Sequence, residues 1–294
     1  MAIESLQALM DAARERDLVE VIISDDCVER GASREDSLAR MRALYAAIRR
    51  SSAGYDPSLR SQSGMVGGDG AKMRAYVARG RTICGDYAGQ VIAQALEMGE
   101  SNACMKCIVA APTAGSCGVL PAVLLPYQRR EGLDDETMVR AMYVAGAIGQ
   151  VIAEKASIAG AAGGCQAEIG TASAMAAGAL VALRGGTGEQ IGHAVAMALK
   201  NLMGLICDPV AGLVEVPCVK RNVIGAVNAV SVADMAMAGI TSRIPVDEVI
   251  DAMGEVGRRL PVEFRETALG GLAATPTGNA IKRSMRQGKD EDAL

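Results

Sequence analysis

What most constrains this chain is what its central stretch lacks. From about residue 85 to 240 it runs in Ala-, Met-, Gly- and Ile-rich segments with few charges. Across all 294 residues, aromatic side chains amount to 2 %: six Tyr, one Phe and no Trp. Strands draw on aromatic and β-branched residues to fill a pleated surface, so this composition disfavours a sandwich or barrel. It suits helices that approach one another closely and are buried on most sides. The reading is an all-α fold, a buried helical bundle with functional loops at helix boundaries. Half of the chain is apolar, which excludes wholesale disorder.

Local signals place the helices. Ser33 followed by Asp36 reads as a capping box opening a helix over 37–50, and Thr187 followed by Gln190 as another, opening a helix through residue 201. Segments 138–155 and 226–238 read as buried helices. The uncharged run 169–183 ends at Gly185-Gly186, a helix stop. Pro245 falls at a first helical position for 246–259. Residues 19–24 are the best short strand candidate. Residues 1–60 read as a charged helical segment packed on a catalytic domain over 61–280, which begins with a glycine-rich loop over 61–72. Residues 281–294 read as a polar tail, and the chain is expected to be loose after about Thr275.

Charge and targeting signals narrow the function. Thirty basic against 34 acidic side chains leave a net charge of −4, with no basic stripe for a nucleic-acid backbone. The N-terminus does not read as a signal peptide, and Pro112, Pro121 and Pro126 interrupt the longest uncharged stretches, so neither export nor a membrane span is expected. The eight cysteines are then read as thiols in a reducing, cytoplasmic compartment. A single His, His193, sits among Ala, Val and Met in a helix and excludes a His-rich metal site.

Four loops join a cysteine to Gly, Pro or small polar residues at a helix boundary: 110–118 with Cys117, 160–168 with Cys165, 204–212 with Cys207, and 216–222 with Cys218. Three thiolates from three loops hold three irons of a cubane cluster and leave the fourth without a cysteine. The competing reading is that buried cysteine is ordinary in an Ala-rich core, and the gaps of 42 and 11 residues match no generic local metal motif. Cys104-Met105-Lys106-Cys107 is the one C-x-x-C, half of a zinc or redox site without a second half, or a pair of helix-facing thiols. Lys155 near Ser157 carries no phosphate-cradling helix start, so a pyridoxal-phosphate lysine is not expected.

Longer motifs carry a resemblance. Gly163-Gly164-Cys165-Gln-Ala-Glu168-Ile-Gly, Cys207-Asp-Pro-Val-Ala-Gly-Leu-Val-Glu-Val-Pro-Cys218-Val-Lys-Arg-Asn, Ala-Pro-Thr113-Ala-Gly115-Ser116, Ser61-Gln-Ser63-Gly-Met-Val-Gly-Gly-Asp69, Ser101-Asn102-Ala103 and Gly270-Gly-Leu-Ala-Ala-Thr-Pro-Thr-Gly278 resemble the α subunit of the iron–sulfur-dependent L-serine dehydratases, over nearly the whole chain. The resemblance implies an all-helical domain, a [4Fe-4S] cluster on Cys165, Cys207 and Cys218, one iron not ligated by cysteine, and no pyridoxal phosphate. It also implies a separate β subunit or a homo-oligomer. The implied reaction converts L-serine to pyruvate and ammonia. Related eliminases acting on L-threonine or L-cysteine, and a non-catalytic iron–sulfur or thiol redox-sensing subunit, are the alternatives. Relatives usually show Met-Gly at Met105-Lys106 and often lack Cys104 and Cys107. The chain also ends in Asp-Ala-Leu, without the terminal cysteine of some single-chain relatives. Ser101, Asn102, Thr113 and Ser116, with backbone N–H groups around Gly115, Gly163 and Gly164, are the candidates for holding substrate, with Ser61, Ser63 and Asp69 lining the pocket. The general base is not identified. Lys155 and Lys200, with pKa lowered by burial so that the neutral amine can act, are candidates, as is a histidine of the β subunit.

Overall fold

The computed structural model describes residues 3–291, so the last three residues of the expected tail lie outside it. Among the described residues the chain forms thirteen α-helices and no β-strand. In chain order they are α1 (Leu6–Ala12), α2 (Leu18–Arg30), α3 (Arg34–Ala53), α4 (Asp69–Ala78), α5 (Gly85–Ala103), α6 (Val119–Glu131), α7 (Asp135–Lys155) and α8 (Gly160–Gly163). There follow α9 (Thr171–Leu183), α10 (Gly188–Leu202), α11 (Cys218–Met237), α12 (Val246–Arg259) and α13 (Pro276–Glu291). The all-α expectation holds.

Helix α9 is the axis of the bundle. It has no charged residue, and every residue from Thr171 to Val181 is buried. It is ringed by α6, α7, α10 and α11. A helix apolar on all sides is stable only when enclosed, and its small residues set how tightly. A Cβ at Gly178 would lie 2.2 Å from Ile148 of α7 and 3.3 Å from Ile191 of α10. A Cβ at Gly225 of α11 would meet Ile169 and Val119 at 2.9 and 3.0 Å. Outside this ring, α2 and α3 pack on α7, α1 packs on α10 and α12, and α4 lies along α5. No helix among the described residues is long and apolar enough to cross a membrane.

Of the two expected capping boxes, the one at Thr187 closes fully and the one at Ser33 forms only its N-cap half. The Ser33 hydroxyl accepts from the Asp36 N–H, and Thr187 and Gln190 close a reciprocal box at the start of α10. Four expectations need correction. Residues 19–24 lie inside α2, not in a strand. The Asp17 carboxylate accepts from the N–H groups of Val19 and Glu20 at 2.9 and 3.0 Å, which starts a helix that Gly31 ends in the left-handed region. A short apolar run does not by itself distinguish the two periods. The helix expected over 226–238 starts earlier, at Cys218. Pro245 is the N-cap residue of α12, with extended backbone, and Val246 is the first helical residue. Residues 276–291 are helical, because the Thr275 hydroxyl accepts from the Gly278 N–H and caps α13.

Candidate metal centre

Three loops deliver the sulfurs. Cys165 ends the segment that follows α8, and a π-helical turn over Gln166–Gly170 carries the chain from it into α9. Such wide turns are rare and frequently occur at functional sites. Gly164, at φ 74°, lets the backbone pass beside Leu205: a Cβ there would stand 2.9 Å from the Leu205 carbonyl. The Gln166 N–H donates to that carbonyl at 2.9 Å. Its side-chain oxygen accepts from the Gly204 N–H at 2.8 Å, and its amide donates to the Met253 carbonyl. This lashes the Cys165 turn to the Cys207 loop and to α12. Cys207 is held on its other edge by two backbone hydrogen bonds, from its N–H to Phe264 and from Glu266 to its carbonyl. Cys218 opens α11. All three cysteines are buried.

The sulfurs of Cys165 and Cys207 and a carboxylate oxygen of Glu168 lie within 4.8 Å of one another. The Cys207 thiol donates to Cys165, and this bond, with the positive charge of Arg221, holds the Cys165 thiol below its ordinary range. The same bond, together with burial, pushes the Cys207 thiol up. Cys218 is pushed up to about 12, first by burial and then by the negative charges of Cys165 and Glu168. Burial, and then Glu266, raise the Glu168 carboxyl, against the hydrogen bond it accepts from Thr113.

Among the described residues one cation, Arg221, faces this set. Arg221 donates to Asp208 at 2.7 Å, to the Ile206 carbonyl at 2.8 Å and to the Cys165 sulfur at 3.4 Å. Three thiols and the carboxylates of Glu168, Asp208 and Glu266 therefore share one guanidinium. Ionising all of them in a low-dielectric site would be prohibitive unless a cation enters. Sulfur donors favour a soft or borderline metal such as iron, and binding it takes the protons off the thiols. Cys165, Cys207 and Glu168 fit a metal ion, and Cys218 opens the helix beside them.

The 110–118 loop forms one wall. The Asn222 amide donates to the carbonyls of Gly115 and Cys218 at 2.8 and 3.0 Å, and its oxygen accepts from the Gly118 N–H at 2.8 Å. Thr113 and Ser116 hydroxyls face each other at 3.2 Å. Asn102 reaches the same loop, donating to the Ala114 carbonyl at 3.1 Å. Thr113, Gly115 and, through this loop, Asn102 and Ser116 thus gather beside Glu168.

The other candidates are engaged differently. The Ser101 hydroxyl donates to the Glu97 carbonyl of its own helix. Ser61 and Ser63 both donate to the buried Glu215 carboxylate, and Asp69 pairs with Lys72 and Lys220. Gly163 packs against α12, where a Cβ at Gly257 would stand 2.9 Å from its Cα. Lys155 pairs with Asp247, and Lys200 donates to the Ser242 hydroxyl. Cys104 is half-buried and Cys107 exposed, and His193 accepts from the Ser242 N–H. Sequence reasoning assigned no role to Glu168, Arg221 or Asn222. Each follows a cysteine, Cys165 or Cys218, by three or four residues, the spacing of one helix face, and that was the available signal. Nothing local marked Glu215, 154 residues from Ser61.

A sequence profile described as serine dehydratase alpha chain matches residues 9–273. The chain is 46 % identical over 287 residues to a probable L-serine dehydratase, alpha chain, of Bacillus subtilis (strain 168), covering 96 % of this chain and 94 % of that one. It is 57 % identical over 200 residues to a probable L-serine dehydratase, alpha chain, of Latilactobacillus sakei, covering 68 % and 96 % respectively. It is 48 % identical over 221 residues to an L-serine dehydratase, alpha chain, of Peptoniphilus asaccharolyticus, covering 75 % and 76 %.

Proposed function

The chain belongs to the serine dehydratase alpha-chain family, and from that premise we propose that it is the alpha chain of an L-serine dehydratase that uses a [4Fe-4S] cluster. The reaction removes water from L-serine and releases pyruvate and ammonia, without pyridoxal phosphate. The observation that carries this reading is the meeting of Cys165, Cys207 and Glu168 within 4.8 Å, with Cys218 electrostatically in reach and Arg221 against the Cys165 sulfur. Cys165, Cys207 and Cys218 are the residues that would hold the cluster. When bound, its iron without a cysteine supplies a Lewis acid for the departing hydroxyl.

The chain's own residues account for the remaining tasks. Arg221 fixes the Cys165 sulfur and, through Asp208, ties it to the 270–272 turn, where the Leu272 N–H donates to Asp208 at 2.8 Å. Asn222 couples the start of α11 to the Thr113–Gly118 loop, so the wall and the sulfurs keep one geometry. Thr113, Ser116 and the backbone around Gly115 offer short polar groups to the amino-acid end of a substrate, which positions it for elimination. Glu215, held by Ser61 and Ser63, anchors the 61–66 loop against the approach to Cys218, since its carbonyl accepts from the Val219 N–H. A separate beta chain, as the alpha-chain names of the relatives imply, completes the working enzyme, and the compartment is the cytoplasm.

The test is iron and acid-labile sulfide per chain on anaerobically prepared protein, with pyruvate formation from L-serine, L-threonine and L-cysteine, alone and with the beta chain. The expected result is a cluster lost in Cys165→Ala, Cys207→Ala and Cys218→Ala, and kcat/KM highest on L-serine. Full turnover of L-serine by protein that binds no iron would overturn the reading.

A further inference from the structure

Within that reading of the centre, one carboxylate is placed as a ligand and has no other explanation. Glu168 presents an oxygen within 4.8 Å of both the Cys165 and the Cys207 sulfur. It does so from the first π-helical turn after Cys165, so its backbone is fixed by the same bonds that fix that cysteine. The Thr113 hydroxyl and the Gly160 backbone lie near enough to favour its ionised form, against burial. One glycine makes room for it: a Cβ at Gly160 would lie 2.8 Å from one of its oxygens, while Gly115 stands in ordinary contact on the other side.

Glu168 lacks a counter-ion. Among the described residues no Lys or Arg nitrogen lies within ion-pair distance of it, and Arg221 is committed to Asp208, Ile206 and Cys165. Its charged neighbour is another carboxylate: Glu266, one of whose oxygens would stand 3.2 Å from the same Gly160 Cβ. A partly buried carboxylate beside two cysteine sulfurs and a second acid, with no cationic side chain in ion-pair reach among the described residues, is a site suited to a cation.

We propose that Glu168 is the fourth protein ligand of the cluster, binding through a carboxylate oxygen the iron that no cysteine holds, until the substrate hydroxyl takes its place. The inference rests on the cluster reading above. With the cluster bound, oxygen for oxygen would be a ligand exchange without redox change: one iron–carboxylate bond would break, one iron–hydroxyl bond would form, and the released carboxylate would stay beside Gly160 and Gly115. A hard oxygen donor on one iron among three sulfur-bound ones also marks that iron as the exchangeable corner.

The experiment is Mössbauer spectroscopy of the full chain reconstituted anaerobically with ⁵⁷Fe and sulfide, as wild type and as Glu168→Gln, each with and without L-serine. Iron and sulfide are counted on the same samples. The expected result is a distinct iron subsite in the resting wild type whose isomer shift and quadrupole splitting move in Glu168→Gln, while the two proteins converge to one spectrum with L-serine bound. Identical resting spectra at equal iron content would overturn the ligand assignment and leave the cluster standing. Wild-type chain that takes up no iron or sulfide would overturn the cluster reading itself, and the ligand with it. Should Glu168→Gln fail to hold iron, wild type labelled with ¹³C-carboxyl glutamate decides. A ¹³C coupling to the reduced cluster is expected, and its absence would overturn the proposal.

Discussion

Replacing Arg221 with alanine tests the electrostatic frame of the centre directly. The guanidinium is 11 % exposed and its partner Asp208 carboxylate 3 %, at 2.7 Å. The truncation leaves Asp208 the Leu272 N–H, at 2.8 Å, and takes the guanidinium away from the Ile206 carbonyl and the Cys165 sulfur. Removing one partner of a buried pair costs about 3–5 kcal/mol, because the other charge stays buried without compensation. At roughly 2–4 °C per kcal/mol for domains approaching this size, Tm should fall by about 6–20 °C. The assay is chemical and thermal denaturation of the metal-free chain, so that loss of metal does not add to the effect. Arg221→Met combined with Asp208→Leu should lose less than Arg221→Met alone, since the second change removes the stranded charge. A loss below about 1 kcal/mol for Arg221→Ala, or a double variant that merely sums the single losses, would refute the claim that this pair is dry and mutually dependent.

Gly178→Ala should cost about 1–3 kcal/mol by overpacking α9 against Ile148, and Ile148→Val in the same chain should return part of it, read as denaturation midpoints. Thr187→Ala removes one half of the box that caps α10 and should cost about 1 kcal/mol, visible as a lower midpoint at unchanged denaturant slope. The Lys72 hydrogen bond, then its charge and that of Lys220, hold the Asp69 carboxyl below its ordinary 3.8. A depressed carboxyl stabilises the folded chain above its unfolded pKa and loses that contribution as pH falls through the folded value. The effect is therefore confined to acid below about pH 4. Asp69→Asn should flatten the acid limb of stability slightly, and salt should shrink the difference, since the Asp69 and Lys72 side chains are 39 % and 75 % exposed.

The capped starts of α3 and α10 and the buried helices of the bundle were legible because each depends on residues within a turn or two of one another. The strand expected over 19–24 failed because its four apolar residues suit either period, and the deciding contact is the Asp17 carboxylate two residues before them. The loose tail failed for a similar reason: a polar composition does not forbid a helix once Thr275 caps it.

By itself the sequence determined that this chain packs small side chains into a helical bundle and carries cysteines in loops that match one enzyme family, since composition, capping and motif are properties of neighbours along the chain. Tertiary structure alone decided what those loops share. It set Glu168 beside the Cys165 and Cys207 sulfurs, spent Ser61 and Ser63 on Glu215, and turned Arg221 toward the Cys165 sulfur. Charge and hydrogen bonding act through space, over residues up to 154 positions apart, and no local pattern encodes which of them will meet.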